Sequence, residues 1–150
     1  MVALKTPKGQ LYGGTPGEGH AYAGVNAYGI LSLSTAQNVT GNTIVIHNMP
    51  KNAVLLGFRI RVTDMDSGTA GLIDVGDAGS STRLLSAFSI QVGGETTALP
   101  VTGFLYKYTA DTPILITINT QSGTAVAGTI YFHFHYVIDE GFSTTAQTPA

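Results

Sequence analysis

The sequence predicts an all-β protein, a single antiparallel β-sandwich with a jelly-roll-like arrangement of about eight strands. Short runs rich in Val, Ile, Phe, Tyr and Thr alternate with turns that contain Gly, Asn, Asp and Pro. Within these runs apolar residues recur at every second position, and no long amphipathic helical pattern is present. The 150 residues suit one domain with a sizeable core. Eight strands favour two packed sheets, either a jelly roll or another Greek-key sandwich, with the strand count favouring the former.

Residues 1–28 are predicted to form an extended Gly-rich N-terminal arm in front of a sandwich domain over residues 29–141. The arm has no apolar period, so it cannot build a core of its own. Its tyrosines, Tyr12, Tyr22 and Tyr28, are good anchors in grooves of another protein. We therefore expect an arm ordered by a partner, and the alternative is a frayed terminus.

The strands follow the arm in regular succession. They are predicted at 30–34, 43–47, 54–63, 70–75, 86–92, 104–108, 113–119 and 127–138. In the third strand, the even-numbered residues from Val54 to Val62 are expected on one face, with Leu55, Arg59 and Arg61 on the other. Residues 80–85 are the one candidate helical turn. A polar C-terminal tail, 142–150, ends the chain.

Composition restricts the class of partner. Charged residues make up 11% of the chain, against about 25% in a typical soluble domain, and depletion of charge is typical of the centres of protein interfaces. A net charge of −2 without a basic stripe argues against nucleic acid. There is no cysteine, no signal-peptide core and no apolar run near the ~20 residues that cross a bilayer. We expect a soluble protein, without membrane attachment, that is covered in part by other proteins.

The last strand offers the sharpest chemical signal. His133 and His135 lie two residues apart, about 7 Å along one strand face, and two imidazoles at that spacing can converge on one metal ion. With Gly128 and Glu140 the pair resembles the first cupin motif, in which a glycine, a His-x-His pair and a glutamate supply three metal ligands. The resemblance implies a metalloenzyme. The glycine-to-histidine spacing is one residue short, Gly141 follows the glutamate directly, and no room remains for a second motif.

An architectural interpretation explains more of the same strand. Phe132, Phe134 and Tyr136 alternate with the two histidines, as expected for a strand with one buried face. His133 and His135 then become residues of the opposite face, and we expect them at a contact between subunits rather than at a metal. Protonation near the ordinary histidine pKa of about 6.5 would loosen such a contact.

Other catalytic patterns are missing from the sequence. Asp64, Asp66 and Gly68 begin like a calcium loop, but Val75 occupies the twelfth position and cannot bind the ion, so a turn is expected. There is no Gly-x-Ser-x-Gly elbow, P-loop or dinucleotide fingerprint. The prediction is a protein that is not an enzyme and has no cofactor.

The order of segments resembles the small cement or decoration proteins of tailed-phage capsids and related phage structural proteins. The resemblance covers about residues 43–138 and is carried by 50–60, 71–77, 82–85, 108–117 and 127–132. It implies a jelly-roll-like virion protein on the capsid surface, made in the host cytoplasm, that clamps neighbouring major capsid protein subunits. It also implies association with itself as dimers or trimers and extended termini that reach neighbouring subunits.

A partner interface follows from the arm and the last strand together. The residues expected to contribute are Lys5, Lys8, Tyr12, His20, Tyr22, Tyr28, His133 and His135. The lysines would face acidic patches of the capsid and the tyrosines would act as anchors. A tail-fibre or receptor-binding head domain is the alternative function, and a cupin-like enzyme is the second alternative.

Overall fold

The computed structural model describes residues 4–5, 11–12, 24–66, 68, 71–91, 94–96 and 102–139. Within them the chain forms ten β-strands, one turn of 3-10 helix at Thr35–Gln37, and no α-helix. The strands are β1 (Leu4–Lys5), β2 (Leu11–Tyr12), β3 (Val25–Leu33), β4 (Thr43–Met49), β5 (Ala53–Val62), β6 (Leu72–Asp77), β7 (Ser80–Ser89), β8 (Gly94–Thr96), β9 (Thr112–Thr120) and β10 (Gly128–Ile138).

Eight of the strands form two antiparallel sheets that pack into a sandwich. The first sheet has the order β3-β10-β5-β8 and the second has the order β4-β9-β6-β7. The chain changes sheet at each step from β3 to β6, stays in the second sheet for the β6–β7 hairpin, and then changes sheet at each step again to β10. This is the strand order of a jelly roll, which confirms the predicted fold class and selects it over other Greek-key sandwiches. Strands β1 and β2 pair with each other in a separate two-stranded sheet.

The core lies between the two sheets and has aromatic rings at its centre. Phe134 of β10 packs against Phe58 of β5, with ring centroids 5.0 Å apart, and stacks on His47 of β4 across the sandwich at 4.9 Å. Isoleucines of the second sheet, among them Ile114 and Ile116, are fully buried beside them. Burial of each such side chain contributes roughly 1.5–3 kcal/mol, so this layer is the main source of stability.

Strand β5 shows why the predicted face assignment was only half right. Its register against β10 shifts so that Gly57 lies opposite His135 while Leu55 lies opposite Tyr136, which leaves Leu56 as an extra residue. Such a bulge moves the residues before it to the other face. Leu55 is therefore buried and Leu56 is only half buried, contrary to the prediction, whereas the alternation from Phe58 to Val62 is confirmed.

Three other expectations differ from the structure. Residues 80–85 begin strand β7 rather than a helical turn, because Asp77 accepts hydrogen bonds from the backbone of Gly79 and Ser80 and closes a hairpin with β6. Residues 104–108 do not form the predicted strand, because 104 and 105 lie in a turn and Lys107 makes only an isolated bridge to Val54 of β5. The first long strand starts at Val25, five residues earlier than predicted, so Tyr28 lies within β3.

Candidate interaction surface

The outer face of the first sheet carries exposed aromatic, aliphatic and cationic side chains. Phe134 and its inward neighbours bury one face of β10, so the intervening residues point away from the core. Strand register places these outer residues in two rows across β3, β10 and β5. One row is Tyr28, His133 and Arg59, and the other is Ile30, Tyr131 and Arg61. Together the six line a shallow depression, which we call the outer face.

The outer face changes character across the sheet. On β3, Tyr28 is 82% exposed and Ile30 is 67% exposed, which is unusual for large apolar side chains in a regular strand. On β5, Arg59 and Arg61 are exposed cations. The Arg61 guanidinium lies 4.2 Å from the centre of the Tyr131 ring, a cation–π contact that holds both side chains in place. The surface is therefore apolar at the β3 edge and basic toward β5.

The two histidines of β10 have separate neighbours. His133 Nε2 lies 3.1 Å from Asn26 Oδ1 and donates to it in the tautomer protonated at that nitrogen. His135 packs over Gly24, where an added Cβ would overlap the imidazole ring. Glu140, the third ligand of the cupin-like pattern, lies outside the described residues. Within the described ranges, no three His, Cys, Asp or Glu side chains are grouped so that they could hold a metal ion.

A second exposed apolar feature is the loop over residues 103–106, which we call the apolar loop. Phe104 and Leu105 are 52% and 56% exposed. The loop is fixed to β5, since the Leu105 N–H donates to the Leu55 carbonyl at 2.8 Å and the Leu55 N–H donates to the Tyr106 carbonyl at 3.1 Å. Leu105 has φ of +59°, in the left-handed region that costs a side-chain-bearing residue roughly 1–2 kcal/mol. A rigid turn thus presents two apolar side chains to solvent at an energetic cost.

An ion pair and two tyrosines support the apolar loop from below. Arg83 stacks on the Tyr106 ring, 3.7 Å from its centre, and pairs with the nearly buried carboxylate of Asp77. Tyr108 meets Tyr106 edge to face, with ring centroids 4.9 Å apart. Burial raises the pKa of Tyr108, so its hydroxyl stays protonated at every physiological pH. These contacts fix the position of the loop, while the side chains of Phe104 and Leu105 remain exposed to solvent.

In the segment that begins like a calcium loop, Asp64 and Asp66 accept hydrogen bonds from backbone N–H groups. The buried Asp66 carboxylate accepts hydrogen bonds from the N–H groups of Gly68 at 2.8 Å, Gly71 at 2.7 Å and Thr124 at 3.3 Å. Burial raises the pKa of Asp66, but these backbone donors outweigh it and hold the pKa below its ordinary value. The Asp64 carboxylate accepts from the Asp66 N–H at 3.2 Å. The aspartates therefore organise a turn, as the sequence predicted.

The structure brings together part of the predicted interface. Tyr28 and His133 lie on the outer face, whereas His135 lies farther along β10, opposite Asn26 of β3. Lys5 and Tyr12 lie on the short strands β1 and β2. The other expected contributors, Lys8, His20 and Tyr22, lie outside the described residues, so the interface as a whole remains a prediction.

Sequence reasoning missed the larger part of both surfaces. Ile30, Arg59, Arg61 and Tyr131 become neighbours only through the strand order β3-β10-β5. The apolar loop was assigned to a strand. Its signal was present in the sequence, because three consecutive large apolar residues after Gly103 do not fit a half-buried strand.

Solved structures share this fold over nearly the whole chain. A chain of the cyanophage Pam1 capsid asymmetric unit is 26% identical, with a TM-score of 0.69, and the similarity covers 92% of this chain and 99% of that chain. A chain of the capsid of Ralstonia phage GP4 is 23% identical, again with a TM-score of 0.69, over 86% of this chain and 92% of that chain. The sequence matches no protein-family model and no curated protein. In the described part of the chain, no helix is long and apolar enough to cross a membrane.

Proposed function

We propose that this chain is a structural protein of a phage capsid that binds the outside of the shell and clamps neighbouring major capsid protein subunits. The observation that carries the proposal is the similarity to a chain of the Pam1 capsid asymmetric unit, at 26% identity and across nearly the full length of both chains. Similarity over 92% of this chain and 99% of that chain argues for an equivalent protein rather than for a common sandwich core alone.

The positions of the two exposed features suit a clamp. Tyr28 and Ile30 lie on β3, at one edge of the first sheet, and the apolar loop runs beside β5, toward the opposite edge. With strands about 4.8 Å apart, three spacings separate them by roughly 14 Å. Two separate apolar contacts on one rigid body can engage two neighbouring subunits at the same time.

Clamping requires area and geometry rather than chemistry. Each contact can be modest, because simultaneous attachment to several subunits raises avidity without new contacts. Arg59 and Arg61 at the basic side of the outer face suit acidic patches of a capsid surface. The N-terminal arm, with Lys5, Lys8 and Tyr12, adds further contacts in this proposal.

A binding experiment tests the proposal. Purified protein is mixed with capsids that lack it, and co-sedimentation and resistance of the shell to heat are measured. We expect saturable binding and a more heat-resistant shell. Phe104→Ser should weaken binding, whereas the matched control Val39→Ser, which removes an exposed apolar side chain outside both contact features, should not.

Two results would reject the capsid role. Binding to purified tails but not to capsids would favour a tail-fibre or receptor-binding domain. Stoichiometric bound metal in protein purified without an affinity tag, lost in His133→Ala, would instead favour the cupin-like enzyme.

A further inference from the structure

The free edges of the two sheets differ in how well they are protected against pairing with another chain. The outer edge of β5 is covered at one end by β8 and at the other by the apolar loop and the residues that follow it. Edge strand β4 is interrupted by a register shift between Val45 and His47. Edge strand β7 has irregular pairing with β6 and a positive φ of 49° at Ala87. Bulges and short strands of this kind are the usual devices that block edge-to-edge association.

Strand β3 has none of these devices. It pairs with β10 through nine consecutive residues, Val25–Leu33, without a register shift. Its sequence, VNAYGILSL, contains no charged residue and no proline. Among the described residues, no strand pairs with its other side. A long, regular, uncharged edge is a template on which another strand adds.

The sequence of β3 is complementary to itself when two copies run antiparallel. If Gly29 lies opposite Gly29 of a second copy, every other pair follows from the register. On the outer face, Tyr28 then lies opposite Ile30, and Asn26 lies opposite Ser32. On the inner face the matched pairs are Ala27 with Leu31 and Val25 with Leu33. Apolar residues meet apolar ones and polar residues meet polar ones, and cross-strand pairs of this kind stabilise a sheet.

We propose that two copies of this chain associate through their β3 edges, antiparallel about a two-fold axis at Gly29, to form one continuous sheet across the dimer. A second copy is favoured as the occupant because a single strand supplies both halves of each complementary pair. The outer-face charges do not oppose this arrangement. Arg59 and Arg61 lie on β5, so the arginines of the two copies are five strand spacings, or roughly 24 Å, apart, well beyond the screening length of about 8 Å at physiological salt.

The dimer does not depend on the proposed capsid role and is compatible with it. Tyr28 and Ile30 would still project from the outer face, now as one apolar strip shared by two molecules. The strip would double the contact area on a shell. Because the dimer forms in solution, its test requires no capsid, and either proposal can fail without the other.

Charge substitutions in the β3 edge test the dimer with the full chain. Analytical ultracentrifugation of the wild type should give about twice the 15.6 kDa monomer mass. The double variant Tyr28→Lys/Ile30→Lys places like charges opposite each other twice, and we expect the dimer dissociation constant to rise by roughly tenfold or more. Tyr28→Glu/Ile30→Glu should dissociate in the same way.

An equimolar mixture of the two double variants is the decisive measurement. Opposite charges then face each other, so a heterodimer should form, which neither misfolding nor loss of an unrelated contact would produce. Val45→Lys, on edge strand β4, is the control and should leave the dimer intact. A monomeric wild type, or an oligomer that both double variants retain, would overturn the proposal and would leave the N-terminal segment of the chain or a capsid protein as the candidate occupants of the β3 edge.

Discussion

His47 is a histidine within a cluster of aromatic rings. It stacks on Phe134 with an interplanar angle of 22°, and its centroid lies 5.9 Å from that of Tyr136. Its Nε2 is buried, with no hydrogen-bond partner among the described residues. Burial lowers the pKa of His47, so the folded protein holds the ring in its neutral form.

The lowered pKa predicts a loss of stability in mild acid. Below the ordinary histidine pKa of about 6.5 the unfolded chain binds a proton that the folded chain does not, so stability falls as the pH drops from 6.5 toward the lowered value. Thermal unfolding at a series of pH values between about 7.5 and 5 measures this. His47→Phe keeps the ring stacking but cannot titrate, and its melting temperature should fall less. If the melting temperatures of the wild type and His47→Phe depended equally on pH, His47 would not be the cause of the acid destabilisation.

Tyr108 is buried and its hydroxyl has no partner in the described part of the chain. A buried hydroxyl without a hydrogen bond contributes nothing that offsets its desolvation, whereas the ring fills the space beneath the apolar loop. We expect Tyr108→Phe to change the free energy of unfolding by no more than about 1 kcal/mol, and Tyr108→Ala to lower it by about 3–5 kcal/mol. Urea denaturation measures both. A Phe variant as unstable as the Ala variant would reveal a hydroxyl contact.

At the scale of elements, the apolar loop combines backbone strain with exposed apolar side chains. The left-handed conformation of Leu105 is maintained by two hydrogen bonds to Leu55 and by the buried side chains below. Strain that persists at an exposed position is a reason to look for function there. In the proposed clamp, the function is to present Phe104 and Leu105 to a neighbouring subunit.

Leu105→Gly should therefore separate stability from binding. Glycine adopts the left-handed conformation without a steric penalty, so the free energy of unfolding should rise by roughly 0.5–1.5 kcal/mol while capsid binding weakens. Ala87→Gly is the matched control, because Ala87 also has a positive φ but lies four residues along β7 from Arg83, the β7 residue that stacks on the loop. It should gain stability and keep binding. Unchanged capsid binding by Leu105→Gly would exclude the loop from the contact.

Local sequence pattern predicted the elements best where pairing is regular. The alternation in β10 gave its bounds to within one residue and identified Phe134 as buried, because a regular strand needs only period-two burial. The face of Leu55 was wrong because the bulge in β5 depends on the register with β10, which is not visible locally. The apolar loop was not predicted because its turn depends on hydrogen bonds to β5, which local sequence does not reveal. His133 and Tyr28 were predicted as surface residues, whereas Arg59 joins them only through the strand order.

At the scale of the whole molecule, the jelly roll supplies a rigid body from which contacts project in several directions. The outer face, the β3 edge and the apolar loop all belong to the first sheet or its border. The residues before Val25, which we predict to form an arm, precede β3 directly in the sequence. In the proposed clamp, the first sheet faces the contacts while the second sheet completes the core.

Deletion of residues 1–23 tests the contribution of the arm. The deletion ends before Val25, so the strands of the sandwich remain complete. If the arm reaches a neighbouring subunit, its loss removes one attachment point and capsid affinity should fall by roughly tenfold or more. The amount of protein bound to capsids at limiting concentration measures the change, with deletion of residues 142–150 as the comparison. Undiminished occupancy would show that the arm is not an anchor.

An electron cryomicroscopy map of the virion that contains this protein would show whether it clamps the outside of a phage shell. We expect jelly-roll density on the outer capsid surface, at junctions between major capsid protein subunits, with the apolar loop or the outer face in contact with them. Density for the protein on the tail, or on the inner surface of the shell, would show that it does not clamp the outside of the capsid.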